Sequence, residues 1–213
     1  MVVPARIIGF VLFLSVLTFG CTYQRRVELP PPEFPEQIHV TSPLDTFRNS
    51  SVAVFRFTEP TYAGGTGQTA ADFVYYELRK GSIFSRVMNE VQHAHLGSAD
   101  VMDMARTKGY DLVVSGEVLY YFDGTSELPS RVVERMKVVH VPTQEVLWYA
   151  TMVDEISPAE GTDYFVAIGK GAPAPPATLL LQRNAEKFCN LLLGGLPQAS
   201  PEEQDTSDAV SAD

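Results

Sequence analysis

The sequence predicts an α/β fold: a single mixed β-sheet with helices packed on it, in the order β-α-β-α-β-β-β-α. Three observations predict it. Strand-like and helix-like apolar periodicities alternate through the first half of the chain. The stretch "DLVVSGEVLYYF" (111–122) opens as a near-continuous apolar run, the pattern of a strand covered on both faces. Then "RVVERMKVVHV" and "EVLWYATMVDEI" follow one another across "PTQ" (142–144), a length and composition suited to a hairpin, which brings antiparallel pairing into the sheet.

Taken in order, "SVAVFRF" (51–57) is rich in strand formers and reads as the first strand. The loop "TEPTYAGGTGQ" leads to a helix, for which Thr69 with Asp72 three residues on makes a capping-box-like start. Phe73, Val74, Tyr76 and Leu78 form its apolar stripe, and Gly81 ends it. "IFSRVMNEV" (83–91) is the second strand, with Ile83, Val87 and Val91 apolar. "SADVMDMARTKG" carries Val101, Met104 and Ala105 at helical spacing and stops at Gly109. After the central strand and the hairpin comes the last periodic element, about 177–193. It bears Leu180, Leu181, Ala185, Phe188, Leu191 and Leu192, and Gly194 and Gly195 close it.

The amino terminus belongs to a different class. Arg6 supplies a positive start, and the apolar run Ile7–Phe19 is too short for the roughly 20 residues of a spanning helix. A short apolar run ending at a small residue, here Gly20, is the anatomy of a secretory signal. "LSVLTFGC" resembles a bacterial lipoprotein signal, which implies cleavage before Cys21 and lipidation of that residue, with acyl chains such as palmitate. Leu17 stands four residues before Cys21 where that pattern has three, and Phe19 is bulkier than usual; a plain secretory signal or an uncleaved anchor is the alternative. The only other cysteine, Cys189, lies in an apolar helical run, so no disulfide framework is expected. Four segments result: 1–20, a lipoprotein signal peptide; 21–48, a proline-rich tether holding the domain off the membrane; 49–196, the α/β domain; and 197–213, a disordered acidic tail.

"SVAVFRF", "GSIFSRVMNEV", "YDLVVSGEVLYYFDG" and "VVHVPTQEVLWYA", with the helices between them, resemble periplasmic lipoprotein α/β domains. This group includes the curli secretion lipoprotein, the Pel polysaccharide lipoprotein, the activators of penicillin-binding proteins and the amino-terminal domain of TolB. Phe84 and Val87, Gly116 with Glu117, and Trp148 hold the places that carry the resemblance, which spans about 51–156. It implies a fold and an envelope compartment and no single activity.

The net charge of −10 and the want of any Lys/Arg cluster disfavour nucleic acid as a partner, and none is expected. The glycine-rich "YAGGTGQT" precedes a helix and its amides could cradle an anion, but it lacks the Gly-Lys-Ser/Thr ending of a nucleotide loop and reads as a surface turn. His93 and His95, with Asp100 or Asp103, are a weak metal set without the i, i+4 spacing of common zinc sites; polar loop is the preferred reading, and no metal or cofactor is expected. His39, in the tether, and His140, near the hairpin turn, read as solvated. Glu117 is either a carboxylate of shifted acidity or a structurally paired one. No nucleophile elbow is present, and the protein is expected not to be an enzyme. In the long irregular stretch 157–176, the apolar island Tyr164, Phe165, Val166 and Ile168 is either a short edge strand over the core or a contact for a partner or a second copy.

These readings converge on a lipoprotein anchored through Cys21 to the outer membrane and facing the periplasm, Thr22 agreeing with that delivery. It would act as a homo-oligomer or with an envelope protein, supporting assembly or export of an envelope component. A regulatory module that activates a cell-wall synthase is the alternative.

Overall fold

Strand β4 (Leu112–Phe122) pairs in parallel with β2 (Ser51–Phe55) on one side and antiparallel with β5 (Ser130–His140) on the other. The computed structural model describes residues 34–41, 44–92, 97–159, 163–164, 167–168 and 171–194. Around this junction six strands run in the order β1-β6-β5-β4-β2-β3, where β1 is Gln37–Val40, β3 is Arg86–Glu90 and β6 is Val146–Ile156. The mixed sheet and the predicted sequence order are both found, with one strand added at the front and a separate two-stranded pair added before the last helix.

That addition corrects the extent of the tether. Residues 37–40, placed by their proline-rich surroundings in an extended spacer, pair antiparallel with β6 from Gln37↔Thr151 to Val40↔Trp148. A 3-10 turn, Leu44–Phe47, follows, and Phe47 sets its ring edge-on to Trp148 at 5.7 Å. Extended backbone flanked by prolines is as compatible with an edge strand as with a spacer, since an edge strand leaves one row of its amides unpaired. The exposed burial pattern of β1 explains why no apolar alternation announced it.

Helices α1 (Thr66–Lys80) and α3 (Ala177–Leu192) pack together on one face of the sheet, while α2 (Ser98–Lys108) lies on the other. Alternation along β2 separates the two cores. Val52 and Val54 join Val74 and Leu78 of α1 and Leu181 and Phe188 of α3, with Met136 and Trp148 beneath them. Ala53 and Phe55 join Val101 and Ala105 of α2, with Tyr110 and Val113. Trp148, Phe57 and Phe188 are essentially inaccessible, and each such side chain contributes about 2 kcal/mol or more through burial.

The ends of the elements follow local chemistry. α1 begins at Thr66, one turn earlier than the Thr69–Asp72 pair suggested; Thr69 Oγ1 donates back to the Gly65 carbonyl and caps nothing. Helix α2 does stop at Gly109, whose φ of 70° is left-handed. The hairpin turn places Gln144 at φ 61°, with its amide on the His140 carbonyl at 2.7 Å. The first amide of α3, that of Ala177, is taken by Asp123 Oδ1 at 2.7 Å, and Ser130 Oγ donates to the Pro175 carbonyl, so α3 starts at the β4–β5 end of the sheet. In the second strand the pairing begins only at Arg86, yet Ile83 and Phe84 are buried as their apolar character requires.

One carboxyl is enclosed between β5 and α3. Period-2 alternation puts Glu134 on the same face as Val132, Met136 and Val138, where Asn184 Nδ2 donates to it at 2.8 Å. Burial pushes the Glu134 carboxyl up to about 8, the Asn184 hydrogen bond opposes this, and the charge of Asp154 adds to it. Asp154 itself is held by Arg183 at 3.1 Å and Lys187 at 3.3 Å. The folded state therefore retains a proton that the unfolded chain releases near the ordinary glutamate value. Stability from this group is full at acid pH and declines as pH rises between that value and about 8. Glu134→Gln should remove this slope, raising stability at pH 8.5 by roughly 2 kcal/mol or more while changing it little at pH 5. Denaturant melts across this range check it, and parallel pH profiles for the two proteins would refute it.

Candidate functional site

Helix α2 has 11 residues, about 16 Å of axis, whereas six strands span roughly 24 Å. It covers β2 and the start of β4, and no described helix covers the face beyond them, although Val133 and Thr151 on it are buried. Register turns the open face into polar rows. Ser115, Lys137, Tyr149 and His39 are successive partners across β4, β5, β6 and β1, and Glu117, Arg135, Thr151 and Gln37 form the next row. Where the rows run under the edge of α2 they form a groove of about 660 Å³, lined by Arg56 and Thr58 from the end of β2, Ser98, Met102 and Arg106 of α2, and Val146 beside the turn.

Four cations reach this groove: Arg56, Arg106, Arg135 and Lys137. Three hold carboxylates: Arg56 pairs with Glu59 at 2.9 Å, Arg106 with Asp103 at 2.7 Å and Arg135 with Glu117 at 3.2 Å. Lys137 is half-buried and has no ion-pair partner among the described residues. The Arg106 and Arg135 pairs are exposed and contribute little stability, so these two cations remain available to an incoming anion, whereas Arg56 is tied to the largely buried Glu59. In a chain of net charge −10, this is a local positive surface set into an acidic protein.

The glycine-rich loop does cradle an anion, but the anion is internal. Glu59 accepts from the Gly67 amide at the head of α1 and from Arg56. Burial pushes its carboxyl up, while hydrogen bonds from the Gly65 and Gly67 amides and from Arg56 outweigh this and hold it below the usual carboxylate value. The loop is thus a helix cap in use, which agrees with a structural role for "YAGGTGQT".

Other candidates separate clearly. Glu117 is the structurally paired carboxylate; the buried one is Glu134, which the alternation in "RVVERMKVVHV" marks by placing a Glu among inward-facing positions. Asp103 is bound to Arg106, Asp100 is exposed, and His93 and His95 lie outside the described residues; no cluster of three metal-binding side chains occurs among the described residues. His140 is half-buried, bonded through Nδ1 to Thr143 at 2.9 Å and edge-on to Phe47 at 5.6 Å, so it is structural and not freely solvated. His39 sits in β1 beside Thr41 at 3.2 Å. Cys189 is buried, and burial together with Glu77 pushes its thiol up to about 12, which leaves it inert. Cys21, Phe165 and Val166 lie outside the described residues. Tyr164 belongs to β7 (Asp163–Tyr164) and Ile168 to β8 (Ala167–Ile168), which pair with each other among the described residues.

No protein-family model matches the chain, and no curated protein matches it. Among solved structures, the PelC dodecamer from Paraburkholderia phytofirmans has the same fold. One crystal form of a PelC variant aligns at 20% identity over 75% of this chain and 98% of that one, with a TM-score of 0.54. A second PelC crystal aligns at 20% identity over 76% and 99%, with a TM-score of 0.53. The carboxy-terminal domain of LpoB from Escherichia coli aligns at 12% identity over 50% and 84%, with a TM-score of 0.34. The fold defined by the mixed sheet and its helices is therefore that of the PelC protomer.

Glu59→Ala should cost about 1 to 2 kcal/mol, because it leaves the first amides of α1 without an acceptor and frees Arg56. Glu59→Gln should recover part of this. Urea melts measure both, and an unchanged midpoint for Glu59→Ala would show that the cap carries no stability.

Proposed function

We propose that this chain is a non-enzymatic lipoprotein, anchored through lipid on Cys21 at the periplasmic face of the outer membrane, that assembles with copies of itself to support assembly or export of an envelope component. The observation that carries this reading is the fold: the domain reproduces nearly the whole of a protomer whose solved form is a PelC dodecamer, behind a signal and cysteine that resemble those of lipoproteins. A ring requires two different surfaces on each protomer. Among the described residues the sheet has two unpaired edges, β1 and β3, and both present apolar side chains to solvent: Ile38 and Val40 on one, Met88 on the other. Open edges of this kind are templates for pairing with another chain. The Tyr164–Ile168 island is a further surface for such contact.

Anchoring strengthens a weak contact by confining the copies to one plane and raising their effective concentration. Crosslinking in intact membranes is expected to give species above dimer for wild type. Cys21→Ser should shift the protein to the aqueous phase on detergent partition and reduce those species at least tenfold. Val40→Lys should reduce them while leaving the monomer folded. Monomer alone in wild-type membranes, equal partition of the Cys21→Ser protein, or capture of a cell-wall synthase in place of further copies would overturn the reading.

A further inference from the structure

We propose that the acidic carboxy-terminal segment, residues 195–213, docks in cis in the groove between α2 and the open face of the sheet. This proposal is independent of the envelope reading. The segment holds Glu202, Glu203, Asp205, Asp208 and Asp213 and no Lys or Arg. The groove is the place where the described cations gather without a matching number of carboxylates. Of the described lysines, Lys80 is held by Glu77, Lys108 by Glu90 and Lys187 by Asp154, whereas Lys137, which lines the groove, stands in register between the neutral Ser115 and Tyr149. A half-buried ammonium with no carboxylate is costly, and an incoming carboxylate lowers that cost more than it would at an exposed lysine. Arg135 sits one row away, and a carboxylate entering there exchanges with Glu117.

Geometry allows the docking within one chain. Helix α3 begins at the β4–β5 end, where Asp123 takes its first amide, and by Cys189 it runs beside Glu77 and Lys80 at the end of α1, which leads into β3 at the sheet end shared with the β5–β6 turn. Gly194 therefore leaves the domain at the end that carries the β5–β6 turn, and the groove opens beside the same turn at Gln144 and Val146, on the other face. Fully extended, residues 195–213 reach about 60 Å. Crossing from the helix layer to the open face needs roughly 20 Å, two layer spacings of about 10 Å. A tether this short gives an effective concentration on the order of 1 mM, so an affinity too weak to hold a free acidic peptide suffices to keep the groove occupied in cis. The segment would then be a tethered competitor, yielding the groove to an anionic partner that binds it more tightly.

Zero-length carbodiimide coupling of the dilute, detergent-solubilised full-length protein, read by peptide mass mapping, tests this. The expected product joins Lys137 to Glu202, Glu203, Asp205 or Asp208 within one chain. Its yield should exceed that at Lys80, Lys108 and Lys187 at least fivefold, stay constant over a tenfold change in protein concentration, and fall severalfold in 0.5 M salt as screening shortens. Replacing the four carboxylates by Gln and Asn should abolish it without moving the thermal midpoint, which shows that the fold is intact. Coupling spread evenly over all lysines would reduce the tail to nonspecific charge contact. Yield rising with concentration would assign the tail to a neighbouring copy. Either result overturns the proposal.

Discussion

The arrangement depends on β4 serving two kinds of partner at once. Its first residues pair in parallel with β2, and its whole length pairs antiparallel with β5. For both to hold, the strand must carry apolar side chains on both faces at its start and permit close approach at its middle. Gly116 provides the latter. A side chain there would meet the Phe57 ring and the Arg135 carbonyl, each at 2.7 Å from its first carbon, while the Gly116 carbonyl accepts from the Thr58 amide and so extends the line of β2. Without that contact Phe57 could not enter the core, and Arg56 could not turn toward the groove.

Uneven coverage of the sheet is the second consequence. Two helices of 15 and 16 residues seal one face, and one helix of 11 residues seals part of the other. A sheet face left in water must be polar, and the antiparallel half meets this requirement with direct cross-strand rows of Ser, Lys, Tyr and His or Glu, Arg, Thr and Gln. The same alternation that places Lys137 and Arg135 outward commits Glu134 inward, where it needs Asn184 and remains protonated at neutral pH. A basic groove and a buried carboxyl are thus two faces of one strand.

The periodicities of the sequence suffice for the strands, the helices and their order, because each element with a buried face must write that face into its own residues. They also suffice for the hairpin, the Gly109 stop and the burial of Cys189. The edge strand Gln37–Val40 left no such record, since its side chains are exposed and its stability comes from backbone pairing to β6. The Thr69–Asp72 pattern misplaced the helix start for a related reason: the acceptor for the first amides is Glu59, which lies outside the helix and is brought there only by the fold.

What the sequence determined by itself, then, is everything written in local alternation and composition: an α/β chain whose strands and helices follow in the predicted order, ending in an acidic stretch. What only the tertiary structure decided is which charges meet. Arg56, Arg106, Arg135 and Lys137 are distant along the chain and interspersed with acids, and they become one site because register aligns β4 with β5 and a short helix stops before covering them. Cross-strand register and the reach of a helix are properties of packed elements, and no single segment encodes them.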